Sequence, residues 1–195
     1  KRNAIGGDLV AAINRLSQHA YFSECVKFNN ARYKHREVSA RILLVEESIL
    51  NRNSLIDTKR EYLDGLARKL KSGHSDQVFE LERSVLSVLD VMSSVFSKND
   101  DLLSSQGIQV VYYLLFRTAI KFDVMDNLSR ANLLDFRRNV SENREIAASD
   151  YEKASFDLLE FDRLNQQGTN DASSIRERYS ILCKHLSVRV DDTFG

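Results

Sequence analysis

Not one proline interrupts the 195 residues of this chain, and only seven residues are glycine. Proline lacks a backbone N–H and breaks helix interiors, while strand-rich folds spend proline and glycine on their turns. A chain so poor in both is free to run helix after helix. Its hydrophobic content of 43% is enough to bury a core. The expectation is an all-α fold: residues 1–195 as one domain, a single compact bundle of six to eight helices.

Apolar spacing places the helices. Leu9, Val10, Ile13, Leu16 and Ala20 predict a helix over 8–21, with Asp8 at its positive end. Residues 22–35 lack clean periodicity, and Asn29-Asn30 marks a turn. Val38, Ile42, Val45 and Ile49 predict a helix over 37–51. Asp57 reads as the N-cap of a third helix, 57–72, which buries Tyr62, Leu63, Leu66 and Leu70 and stops at Gly73. A fourth runs over 76–97 on Val78, Leu81, Val85, Leu89, Met92 and Phe96.

The stretch 108–125, centred on Val110-Val111-Tyr112-Tyr113-Leu114-Leu115-Phe116, is apolar nearly all round. It is expected to be the central helix, although so β-branched and aromatic a run also admits a strand. Residues 129–166 predict one long helix, or two with a kink near 141–149. A last helix spans 172–187 after the loop 166–171, and the tail 188–195 is expected to fray.

Lys+Arg and Asp+Glu each number 28, so the formal net charge is zero. A free-standing nucleic-acid binder usually carries a basic excess, so attention falls on local patches. Arg32, Lys34, His35, Arg36 and Arg41 form one, and Lys59, Arg60, Arg68, Lys69 and Lys71 another. Arg32, Arg36, Arg60 and Arg68 are the candidate phosphate contacts. Against them stands an ordinary solvated helix face with Glu61 and Asp64 interleaved.

No apolar run reaches the roughly 18 residues of a membrane span. Cys25 and Cys183 have no CxxC partner and read as buried thiols of a reducing compartment, with a Cys25–Cys183 disulfide as the alternative. His19, His35, His74 and His185 are scattered without metal-ligand spacing. There is no glycine-rich phosphate loop and no recognisable nucleophile. The adjacent carboxylates Glu46-Glu47, Asp100-Asp101 and Asp191-Asp192 point in different directions on a helix and are expected as solvated surface. No catalytic residue and no metal site is assigned.

The chain opens Lys1-Arg2-Asn3-Ala4-Ile5-Gly6-Gly7, with no initiator Met, directly before a helix. It reads as a piece of something longer. This opening resembles the segment that ends the catalytic half of a ParB/sulfiredoxin-like family, which also supplies the NTPase subunit of GmrSD-type restriction systems. Family members carry a Glu-x-Arg-Asn-Ala-type element after an Asp-Gly-Gln-Gln-Arg motif, followed by a helical region. Further matches keep the family's order: His19-Ala20-Tyr21-Phe22, then Asn29-Asn30-Ala31-Arg32, then Glu37 to Glu46. After these come Asp57-Thr58-Lys59-Arg60-Glu61-Tyr62-Leu63-Asp64, and Gly168-Thr169-Asn170-Asp171 with Ser174-Ile175-Arg176.

The resemblance implies that Arg2, Asn3, Asp57, Lys59 and Asp64 are family-motif or inter-domain positions. It also implies a bacterial cytoplasmic setting, often anti-phage defence beside an HNH-type nuclease. The Asp-Gly-Gln-Gln-Arg motif is nowhere in these residues, so no cofactor is expected here; NTP and a divalent metal would belong to the longer protein. The expected role is support of an upstream catalytic half of the same protein, with contact to DNA or a partner nuclease. A stand-alone helical adaptor for protein partners, without catalytic activity, is the alternative.

Overall fold

The computed structural model describes residues 7–30, 33–70 and 74–194. Among them the fold is all-α, with eight α-helices and no strand; a single parallel bridge pairs Val26 with Asp100. The helices are α1 (Gly7–Leu16), α2 (Lys34–Arg52), α3 (Arg60–Lys69), α4 (Ser75–Val95), α5 (Gln109–Lys121), α6 (Arg130–Ser149), α7 (Phe156–Gln166) and α8 (Ala172–His185).

The most apolar run is helix α5, not a strand. Val110 through Phe116 are all buried, because α5 packs on α2 and α4 on one side and on α8 on the other. Its two charges, Arg117 and Lys121, both lie toward its C-terminal end. Helix α2 is enclosed almost as fully: every residue from Ile42 to Ile49 is buried, where one stripe was expected. The reason is that α1, α3, α4 and α5 all pack against it.

Several boundaries differ from the sequence reading. The first helix ends at Leu16, not near 21. A π-helical turn, Tyr21–Cys25, follows and turns Tyr21, Phe22 and Cys25 into the core. The next residues are tied to a distant loop by Asn99 N–H to the Glu24 carbonyl, Asp100 N–H to Cys25 and Lys27 N–H to Leu103. The long segment 129–166 is two helices, and the break lies at 150–155, later than the expected kink. Asn143 holds that break, donating to the Ser155 carbonyl (2.9 Å) and accepting the Ser155 N–H (2.7 Å).

The tail does not fray as expected. Val188, Asp191 and Phe194 are buried, and the Phe194 ring lies 5.1 Å from Tyr179. The Phe194 carbonyl accepts from Leu55 N–H and from Arg176. Long-range hydrogen bonds of this kind are invisible to a local propensity argument. The expected Gly73 stop lies outside the described residues.

Both thiols are free and buried, as expected, and burial pushes the Cys183 thiol up to about 12. His35 is a packing residue, its ring 5.6 Å from both Phe22 and Phe28. No helix among the described residues is long and apolar enough to cross a membrane.

Candidate functional site

Of the residues singled out from sequence, Arg2, Asn3 and Arg32 lie outside the described residues. Asp57, Lys59 and Asp64 do not form one cluster. Asp57 is not the N-cap of its own helix: α3 begins at Arg60 after Lys59. The Asp57 carboxylate reaches across the fold and accepts the Ala172 N–H at 2.8 Å, 115 residues away, so it caps α8 instead. Asp171, in the N-cap position of α8, makes no capping hydrogen bond, and its carboxylate takes Lys59.

Lys59 thus bridges Asp171 and Asp57, the latter at 2.9 Å. The Ala172 N–H and the Lys59 ammonium hold the Asp57 carboxyl below its ordinary range, and Asp171 and Asp57 hold Lys59 in its charged form. Thr58 N–H donates to the Asn170 carbonyl (2.8 Å), and Arg41 donates to the Asn170 side chain (2.8 Å). Gly168 turns the loop at φ +65°, where a Cβ would meet the Asp171 carboxylate at 2.8 Å. The two segments Asp57–Asp64 and Gly168–Arg176 therefore meet in space through Asp57, Lys59 and Asp171, whose charges are paired with one another. Chemically this is a fastening between two parts of the bundle.

The remaining candidates lie on the surface. The Arg60 side chain is 94% exposed, 3.9 Å from Asp64, a geometry that contributes little. Arg68 is exposed, and Arg36 stacks 4.9 Å above the exposed Tyr33 ring. Since Arg41 and Lys59 are drawn into the fastening, the two basic groups retain fewer outward charges than their composition promised.

The carboxylate pairs expected on the surface are where sequence reasoning went furthest astray. Glu46 is 1% exposed, and Glu47, Asp100 and Asp191 are buried as well. Glu46 accepts from Ser84 (2.8 Å), Tyr113 (2.8 Å) and Arg117 (2.7 Å). Glu47 takes Lys69, and Asp191 takes Lys121. Asp100 accepts from Ser97 N–H, Leu102 N–H and Arg130. Burial alone would push Asp100 up; its donors outweigh that and leave it below the ordinary range. A legible signal was available: Glu46-Glu47 and Arg117 are the charges inside the two most enclosed apolar runs.

The other side of α5 faces a groove of about 330 Å³ between α6, α7 and the 101–108 segment. Tyr112 lies on its floor, 5% exposed, with its ring 5.4 Å from Phe96 and no hydrogen bond from its hydroxyl to any described residue. Burial pushes the Tyr112 phenol up, and the nearby Arg137 charge draws it part of the way back. Arg137 lines the groove and makes no ion pair within 4 Å among the described residues. Its neighbour Arg144 is fixed to Asp162 by two hydrogen bonds, at 2.9 and 2.5 Å.

A third feature lies beside the first described helix. Phe79, 62% exposed on α4, borders a concavity of about 470 Å³ with Leu86 and the Arg15–Glu82 pair. Among the described residues no group of three or more His, Cys, Asp or Glu could hold a metal ion.

No protein family matches the sequence, and no curated protein or solved structure is similar to it.

Proposed function

We propose that this chain is a helical interaction module, carrying contacts rather than chemistry, which supports the catalytic half of a ParB-like, nuclease-associated bacterial protein. The observation that carries this reading is the Phe79 face. A large aromatic side chain standing in solvent, with Leu86 two turns further along α4 and a bidentate Arg15–Glu82 pair between them, has the make-up of a contact patch: an apolar anchor with a polar border. It adjoins α1, the helix that follows the Arg2-Asn3-Ala4 element. The internally satisfied polar clusters fit a scaffold, since their groups are already paired.

The Arg36–Tyr33 stack, Arg60 and Arg68 are the residues this reading offers to DNA or a nuclease partner. Flat binding of duplex DNA across a salt series would remove the DNA contact.

The test is a binding measurement with an Asp-Gly-Gln-Gln-Arg-bearing half encoded upstream of Lys1, expressed separately. The expected result is a complex that Phe79→Asp weakens by about tenfold or more, since an interface anchor of this kind contributes at least 1.4 kcal/mol. Unchanged affinity in Phe79→Asp would overturn the docking face. A reading frame that opens with Met directly before Lys1 would instead leave the stand-alone adaptor, with the same face as its contact surface.

A further inference from the structure

We propose that the groove between α6, α7 and the 101–108 segment is a binding site for a small ligand carrying one anionic head, a carboxylate or a phosphate monoester, on a flat apolar body. This proposal is independent of the Phe79 face, which lies on α4.

Three observations converge on it. The lining is mixed: Ile108, Phe136, Val140 and Phe161 give it an apolar part, beside polar and charged side chains. Its volume of about 330 Å³ lies at the low end for small-molecule sites and suits a single ring with a short head. The floor holds a donor without an acceptor. Tyr112 is 5% exposed, and its hydroxyl opens into the groove with no hydrogen-bond partner among the described residues. An acceptor atom on a ligand in the groove would satisfy it.

The charge balance is the third observation. The groove's carboxylates are committed, Asp162 to Arg144 and Asp101 to Lys27, while the exposed Arg137 is near enough to Asp101 to feel its charge but makes no ion pair within 4 Å among the described residues. Behind the wall, Arg178 is 0% exposed, and its partners among the described residues are all neutral acceptors. These are the carbonyls of Ser174 (3.1 Å), Gly107 (2.9 Å) and Thr169 (2.8 Å) and the Asn165 side chain (3.1 Å). Asn165 itself lines the groove, so a buried cation lacking a carboxylate partner lies one side chain away. Burial draws the Arg178 guanidinium down to about 10. An anion held between Arg137 and the Tyr112 hydroxyl would accept charge-assisted hydrogen bonds from the Arg137 guanidinium and complement both cations.

The test is calorimetric titration of the 195-residue chain with phenyl phosphate, with benzoate and with neutral benzyl alcohol, and amide shift mapping to place the site. The expected result is binding of at least one of the two anions with a Kd below about 1 mM and at least about tenfold weaker binding of benzyl alcohol. Arg137→Gln should weaken the anion about tenfold or more, and Tyr112→Phe about threefold or more. Arg138→Gln, an exposed neighbour paired with Asp135 and Glu142, should change nothing. The two anions separate a carboxylate site from a phosphate site. Three results would each overturn the proposal: neither anion binding by about 10 mM, affinity unmoved by both Arg137→Gln and Tyr112→Phe, or benzyl alcohol binding as well as the anions. Circular dichroism melts of each variant separate lost binding from lost fold.

Discussion

Tyr112 and Tyr113 are neighbours on α5, both buried, and their hydroxyls meet opposite circumstances. Tyr113 points into a sealed polar cluster, where it shares the Glu46 carboxylate with Arg117 and Ser84. Tyr112 points to another side of the helix, where its hydroxyl opens into a groove and has no partner among the described residues. The arginines follow the same division: Arg117 has a buried carboxylate at 2.7 Å, whereas Arg137 has none within 4 Å among the described residues. A polar cluster whose bonds are all made within the chain serves structure. A cluster with open valences has something left to offer a ligand, and residue type alone does not distinguish the two.

The comparison breaks first at Glu46. If the sealed side is structural, Glu46→Gln should strip Arg117 of its close counter-charge and cost about 3–5 kcal/mol in urea unfolding, as for other broken buried pairs. A loss under about 1 kcal/mol would mean that Asp191, 4.0 Å from Arg117, already serves as its partner. The helix that separates the two sides should be nearly as sensitive. Leu115 is fully buried, and Leu115→Ala should cost about 2–5 kcal/mol by cavity formation. An unchanged melting temperature would mean that α5 is not the centre of the core.

The two tyrosines give the sharpest contrast. Tyr113→Phe removes a hydrogen bond to a charged acceptor and should cost about 1.5–3 kcal/mol. Tyr112→Phe removes an unpaired hydroxyl and should leave stability within about 0.5 kcal/mol or raise it slightly. Equal losses at both positions would erase the distinction.

The smallest effect is a pH slope from a third buried carboxylate. Asp100 has a folded pKa held below its unfolded value of about 3.9 by Arg130 and two backbone N–H groups, against the opposing effect of burial. The unfolded chain therefore binds more protons in acid. The stabilisation is present above about pH 4 and is lost as pH falls through the folded value. In Asp100→Asn the acid limb of the stability curve should flatten below about pH 4; an unaltered limb would mean that the Arg130 pair contributes nothing.

Much of this was legible beforehand, and for identifiable reasons. Apolar spacing located α2, α4, α5 and α8 closely, because periodicity is a property of consecutive residues and α5 is apolar on every side. Asp57 and the segment Gly168–Asp171 carry recognisable cap and loop residues, but nothing local relates them: Asp57 has the position of a cap for the helix after it and instead caps α8. Glu46-Glu47 looked solvated because adjacent carboxylates on a helix diverge. That reasoning holds for a helix with one wet face and fails for α2, which is packed from several directions. The tail looked free because no local pattern records a hydrogen bond from Leu55 to Phe194.

A proline-free, apolar-striped chain of this kind folds as a helical bundle around its most hydrophobic run, and local spacing is enough to say so. Which charges are buried, which are paired and which are left open toward a groove depends on how the helices pack. Helix formation is governed by residues three and four positions apart, whereas the partners of Asp57, Glu46, Asp100 and Arg178 come from segments far along the chain. The desolvation that makes those pairings matter exists only once the segments have packed together.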